Sequence, residues 1–272
     1  MSLQGKRILL TGASGGIGQA VARRLAADGA ELLLVGRRVD QLAALAATLP
    51  GRHHAIVADV SRDDDRQRLC GRIRQLGGLD MLINNAGVQH FGWLAAQGGE
   101  VIRAQIDINL VSAVLLVHDL MPQLLQAPAA VVLNIGSTFG SIGHPGFAAY
   151  CASKFGLRGF SEALQRELAD TRARVVYLAP RATRTSLNSQ EVEGLNADLG
   201  TKTDTPEQVA EAVRHALLHP ATSRRFMGWP ERFFVFLNQL LPVLVDAALR
   251  RQLPVIKRHA RAKENTHDRF AA

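Results

Sequence analysis

Four short apolar runs in the first third of the chain constrain its fold more than any other feature. They read RILLTG (7–12), ELLLVG (31–36), HHAIVAD (53–59) and DMLINNAG (80–87), with the near-continuous apolar character of strands covered on both faces. The stretches between them, GQAVARRLAADGA, VDQLAALAATLP and DDDRQRLCGRIRQLGG, place apolar residues three and four apart and end in Gly or Pro, as helices do. The acidic run Asp63–Asp65 suits the start of the third, near the positive end of its dipole. The rotation continues with a helix around Val101–Leu125, a strand at Ala129–Ser137, a helix through Tyr150 and a strand at Ala173–Pro180. Parallel strands joined by crossover helices close with one hand, so the pattern predicts an α/β fold: a doubly wound parallel sheet with helices on both faces. Ligands bind such sheets beyond the carboxyl ends of the strands.

At 272 residues and 47% hydrophobic, the chain can bury one large core. Residues 1–228 read as a dinucleotide-binding catalytic domain and residues 229–272 as a helical, basic carboxyl-terminal extension. Cys70 and Cys151 fall in helical stretches, which argues against a disulfide framework or a zinc site and for a reducing, cytoplasmic setting; no metal site is expected. No signal-peptide pattern opens the sequence, and no apolar run approaches the roughly 18 residues of a membrane span. The formal charge is +8, but from Arg250 onward seven basic residues stand against two acids, a net of +5. The excess belongs to the tail, and nucleic acid is not an expected partner.

Between the first strand and its helix lies TGASGGIG, Thr11–Gly18. Gly12, Gly16 and Gly18 there permit a tight turn, close approach of backbone N–H groups to a pyrophosphate, and tight helix packing. The second strand ends in Gly36 followed by Arg37 and Arg38. That place would hold an acid if it bound the NAD ribose; Arg37 can instead form a charge-assisted fork with a 2′-phosphate. NADP(H) is therefore the preferred cofactor, with NAD(H) the alternative.

One of the chain's two tyrosines, Tyr150, stands four residues before Lys154 in AAYCASKFGL, so the two share a helix face. A nearby ammonium lowers the pKa of a phenol and makes it a useful acid or base. Together these motifs resemble the short-chain dehydrogenase/reductase family over Thr11–Thr185, with a Rossmann-type fold plausible to about Gly228. The resemblance implies a catalytic set of Asn109 in DINL, Ser137 in NIGS, Tyr150 and Lys154. It implies a cofactor set of Gly12, Ser14, Gly16, Ile17, Gly18, Arg37, Asp59, Val60, Asn85, Ala86, Gly87, Tyr150, Lys154, Pro180 and Thr185. Asn84 completes the N-N-A-G turn.

In that reading Tyr150 exchanges a proton with a carbonyl or alcohol oxygen, Lys154 lowers the tyrosine pKa and holds the nicotinamide ribose, and Ser137 stabilises charge on the same oxygen. Asn109 is expected to hold a water that relays protons from Lys154, and Thr185 to contact the carboxamide. One position departs from the family: PRATRT (180–185) carries Arg181 where a glycine is usual. A positive φ there would be strained; the side chain reads as solvent-exposed or as a reader of acidic substrates. His90 and His144 lie in loops bordering the site, and Phe91, Trp93 and Phe147 are candidates for an apolar wall or for core.

The stretch from Trp229 to Lys263 carries a wide apolar face interrupted by polar residues and should be kinked or divided by Pro242 and Pro254. It reads as a lid over the substrate pocket, a subunit contact, an interfacial helix on anionic membrane, or a helix packed on its own domain. The function expected is an NADP(H)-dependent oxidoreductase interconverting a small-molecule carbonyl and an alcohol, with apolar substrates if the extension is a lid or membrane contact. The alternatives are an NAD-linked alcohol dehydrogenase and a non-catalytic NADP(H)-sensing protein. By resemblance the chain assembles as a homodimer or homotetramer.

Overall fold

The computed structural model describes residues 2–267, with side chains to Ala260; the basic side chains of Arg261, Lys263 and Arg269 lie outside that description. In chain order the elements are β1 (Arg7–Thr11), α1 (Gly16–Ala27), β2 (Glu31–Gly36), α2 (Val39–Thr48), β3 (His53–Val57), α3 (Asp63–Gln75), β4 (Met81–Asn84), α4 (Gly99–Ile106) and α5 (Ser112–Leu124). There follow β5 (Val131–Ile135), α6 (Ala148–Glu167), β6 (Arg174–Ala179), α7 (Gln190–Asp198), α8 (Pro206–Leu218), β7 (Arg224–Phe226), α9 (Glu231–Leu240) and α10 (Pro242–His267). The strands form one parallel sheet in the order β3-β2-β1-β4-β5-β6-β7. The order reverses between β1 and β4, which opens the ligand crevice there.

Alternation along each strand explains the two cores. Ile8, Leu10, Leu32, Leu34, Ile83 and Leu133 point to one face, under α1 and α8. Leu9, Leu33, Leu82, Val132 and Val175 point to the other, under α3, α5 and the end of α6. A two-faced sheet needs apolar residues at successive positions. β3 departs from that expectation: it is an edge strand of half-buried and exposed residues, Val57 among the exposed.

Three further differences bear on the site. The helix expected at Val101–Leu125 is Gly99–Leu124, and it is long and apolar enough to cross a membrane, which the search for apolar runs missed. Its Leu116, Val117, Leu120 and Leu124 nevertheless lie in the sheet core, as a core helix requires. A π turn at Asp107–Val111 divides it into α4 and α5 and carries Asn109; such turns recur at functional sites. At the far end, Pro242 separates α9 from α10, but Pro254 lies inside α10 without ending it. Ile256 and Ala260, just beyond that proline, are buried against α7 residues Val192 and Leu195. That anchoring holds the helix together across the proline.

Candidate active site

The glycine loop is shaped by what presses on it. Gly12 has φ +63°, and a Cβ there would stand 2.8 Å from the Ala86 Cα; one on Gly18 would stand 2.2 Å from the Gly12 carbonyl oxygen. The β4 turn is tied to the loop by Thr11, whose Oγ1 accepts the Asn85 and Ala86 N–H groups at 2.9 and 3.0 Å. Asn85 Nδ2 returns a bond to the Thr11 carbonyl at 2.9 Å. Beyond this seam α1 begins, and its first-turn N–H groups have no intrahelical partner.

A cavity of about 740 Å³ runs from Gly12–Gly18 past Arg37, Asp59 and Asn85 to Ser137, Tyr150 and Lys154, and on beneath Phe234, Val245 and Leu249. Ser14, Gly16, Ile17, Val60, Ala86, Gly87, Pro180 and Thr185 also line it. Every residue assigned from sequence to the cofactor set therefore shares one wall system. Thr185 sits over the loop: a Cβ on Gly16 would meet its methyl at 3.0 Å. Arg37 reaches toward Asp59, 3.9 Å away, while Arg38 crosses to the Ser14 carbonyl and hydroxyl, both at 3.4 Å. Burial raises the Asp59 pKa, but hydrogen bonds from Ser61 and the charge of Arg37 outweigh it and hold the carboxylate below its usual range.

Helix α6 brings Tyr150 and Lys154 to the same wall, both buried. Lys154 Nζ donates to the Ile135 carbonyl at 3.0 Å and lies 5.9 Å from the Tyr150 ring centroid. Burial pushes the Tyr150 phenol up to about 12, and a hydrogen bond with Ser137 opposes that shift. In this geometry burial is the largest influence on the phenol. The ammonium is turned to a carbonyl, and burial pulls its own pKa down to about 8. Ser137 Oγ, at the end of β5, accepts the Phe139 N–H at 3.1 Å.

Asn109 is not in the cavity wall but behind it. Its Oδ1 accepts the Val88 N–H at 2.8 Å, and its Nδ2 donates to the Val88 carbonyl at 2.9 Å and to Ser153 Oγ at 3.0 Å. Both amide hydrogens are used, so the carboxamide has none left for a relay water. Ser153, overlooked in the sequence as one small residue among several, donates in turn to the Tyr150 carbonyl at 2.7 Å. It couples the π turn to α6.

Arg181 corrects the sequence reading. Among the described residues no non-glycine has a positive φ, so no backbone strain arises at Arg181. Nor is its side chain solvated: it pairs with Asp204 at 2.7 Å and with Glu231 at 3.5 Å, joining the loop after β6 to the start of α9. His144 and Phe147 line the cavity; the His144 ring stacks on Phe139 with centroids 4.8 Å apart. Burial lowers its pKa despite the Nδ1 contact to the Pro145 carbonyl. Phe91 lies behind them in the buried cluster, whereas His90 and Trp93 are off the cavity wall.

This seam of glycine loop, buried Tyr150 and Lys154 has a counterpart among known proteins. A family model described as short chain dehydrogenase matches residues 6–196. The chain belongs to the short-chain dehydrogenase family. It is 36% identical over 219 residues to nodulation protein G of Rhizobium sp. (strain N33), covering 78% of this chain and 89% of that one. To the human 3-oxoacyl-[acyl-carrier-protein] reductase it is 34% identical over 213 residues, covering 77% and 90%. A solved short-chain dehydrogenase from Streptomyces avermitilis superposes with TM-score 0.78 at 28% identity, covering 94% of this chain and 98% of that one. A metagenomic short-chain oxidoreductase in complex with NADP superposes with TM-score 0.72 at 29% identity, covering 84% and 98%. As a short-chain dehydrogenase, the protein is an NAD(P)-dependent oxidoreductase.

Proposed function

We propose that this short-chain dehydrogenase is an NADP(H)-dependent reductase of apolar carbonyl compounds, working through Tyr150. One observation carries the reading: the buried Tyr150 phenol, on the same cavity wall as Ser137 and Lys154, sits where the glycine-loop crevice opens into an apolar chamber. The bound nicotinamide supplies or removes the hydride. The N-terminus of α1 would hold the pyrophosphate, and Arg37 and Arg38 an adenosine 2′-phosphate. At neutral pH a phenol pushed up to about 12 stays protonated, which suits donation to a carbonyl oxygen. Ser137 would hold that oxygen as charge gathers on it, and Lys154, cationic below about pH 8, would stabilise the phenolate left behind.

The chamber favours apolar substrates because Phe139, Ile142, Phe147, Val192, Leu195 and Leu249 line it. The roof comes from residues 229–260, which we read as a lid. Its outer face leaves Trp229, Phe236, Leu240, Leu241, Val243 and Leu244 more than half exposed, beside the exposed basic residues Arg250, Arg251 and Lys257. Apolar side chains next to cations suit peripheral contact with an anionic lipid surface. Exposed Val111 and Phe155 on the π turn and α6 offer a separate face for a homodimer or homotetramer, which light scattering would test. Two buried free thiols fit a cytoplasmic setting.

The experiment is NADPH oxidation across ketones and aldehydes of increasing chain length, with Tyr150→Phe as control. Activity that climbs with chain length and disappears in the variant supports the reading; turnover that survives in the variant sinks it. Arg37→Asp should shift preference from NADPH toward NADH by about tenfold or more; an unchanged ratio would favour the NAD-linked alternative.

A further inference from the structure

The chain's other tyrosine, Tyr177 on β6, is 1% exposed and does not itself line the cavity. Its hydroxyl donates to the Ser137 carbonyl at 3.2 Å and accepts the Ser137 N–H at 3.3 Å. One phenol thus satisfies both main-chain groups of a single residue. The neighbouring residues are served differently: the Gly136 N–H donates to the Leu178 carbonyl at 2.7 Å and the Thr138 N–H to the Pro180 carbonyl at 3.1 Å. Without Tyr177 the Ser137 peptide groups would be orphaned at the end of a buried strand.

The loop is also moulded on this ring. A Cβ on Gly136 would stand 2.2 Å from the Tyr177 Cζ, and a Cβ on Gly140 would stand 2.3 Å from its hydroxyl. The segment on both sides of Ser137 has given up side chains to admit the phenol. Phe226 of β7 meets the ring edge-on with centroids 6.2 Å apart and fixes it from the other side. Burial raises the Tyr177 pKa far above that of free tyrosine, so the hydroxyl keeps its proton and its two bonds throughout the physiological range.

We propose that Tyr177 is a positioning residue: by bridging the Ser137 main chain, its hydroxyl sets where the Ser137 side chain points relative to Tyr150 and the substrate carbonyl. The proposal rests on the reading of Ser137 and Tyr150 given above. Tyr177 does not touch substrate; it acts through Ser137.

Tyr177→Phe keeps the ring between the two glycines and removes only the oxygen. With NADPH and 2-decanone or acetoacetyl-coenzyme A as probes, kcat should fall about tenfold, since small misplacements at a reacting centre are costly, while KM and the NADPH dissociation constant stay within twofold. In a Ser137→Ala background the same substitution should change kcat by less than twofold, because nothing remains for Tyr177 to position. Hydrogen exchange gives a readout independent of turnover: amides of residues 134–140 should exchange at least about tenfold faster in Tyr177→Phe, with β1 and β4 unaltered. Unchanged kcat in the single variant, equal losses in both backgrounds, or unaltered exchange at 134–140 would each overturn the proposal. Full activity in Ser137→Ala, or no turnover of either probe by the wild-type protein, would instead overturn the reading of the site.

Discussion

Helix α6 buries eight side chains, including the ionisable Tyr150 and Lys154, whereas α9 buries only Val235 and leaves Phe233, Phe236 and Leu240 exposed. Both helices contribute residues to one chamber. Each breaks the ordinary rule of polar outside and apolar inside, in opposite directions. On α6 a cation and a phenol are held in a dry place that raises one pKa and lowers the other. On α9 and the start of α10, apolar surface is left in water. Departures from local consistency often mark function in folded proteins, and the contrast distinguishes two kinds: a chemical departure that costs stability, and a surface departure that leaves apolar side chains in water.

The contrast can be broken most forcefully at Tyr150. Tyr150→Phe should reduce kcat by about 10³-fold or more while NADPH binding persists; retention of turnover would remove the chemical half of the comparison. Next in size is Lys154. Its pKa drops on burial from 10.5 to about 8, which at about 1.4 kcal/mol per unit is a cost of up to about 3 kcal/mol at neutral pH. That penalty is complete below pH 8 and fades between pH 8 and about 10.5, so this group makes the wild-type protein more stable as pH rises through that window. Lys154→Met should abolish activity yet stabilise the fold by about 1–3 kcal/mol at pH 7, after loss of the Ile135 bond, and flatten that pH dependence in chemical denaturation.

A middle-sized effect lies at the joint between the regions. Arg181→Ala leaves Asp204, 5% exposed in its side chain, without its ion-pair partner, at a cost of about 1–3 kcal/mol. It should also release Glu231, and with it the start of α9, from the loop after β6 and raise KM for long-chain substrates more than for short ones. Equal effects on both chain lengths would deny Arg181 a role in seating the roof. The smallest effect on stability is expected on the outer face: Phe236→Ser, Leu240→Ser and Val243→Ser should each move the unfolding free energy by less than about 0.5 kcal/mol. Together they should weaken sedimentation with phosphatidylglycerol vesicles. Unaltered sedimentation would sink the lipid contact and leave the patch to a protein partner.

The half of the molecule around α6 was largely legible in the sequence, because its signals are local. Strand periodicity, the Gly12–Gly18 spacing and the four-residue step from Tyr150 to Lys154 each need only one element to be read correctly. What escaped depends on residues far apart in the chain. Arg181 became intelligible only with Asp204 and Glu231 beside it. Tyr177 reads as one more apolar strand residue until Gly136 and Gly140 are seen to make room for it, about 40 positions upstream. β7 is three residues long with two arginines, too short and too charged to register as a strand. That Pro254 does not divide α10 has the same reason: the tendency of proline to end a helix is local, and the packing of Ile256 and Ala260 on α7 is not.

The roof of the chamber also has a place in time. A chain made from its amino end completes the glycine loop, Ser137, Tyr150 and Lys154 before Phe234, Val245 and Leu249 exist to cover them. Until the chain beyond Gly228 is made, Ile142 lacks Val235 and Val245, its partners in one buried cluster, and the chamber lacks its roof. A chain ending at Gly228 would hold Ser137, Tyr150, Lys154 and the walls of the chamber, and would lack only its roof.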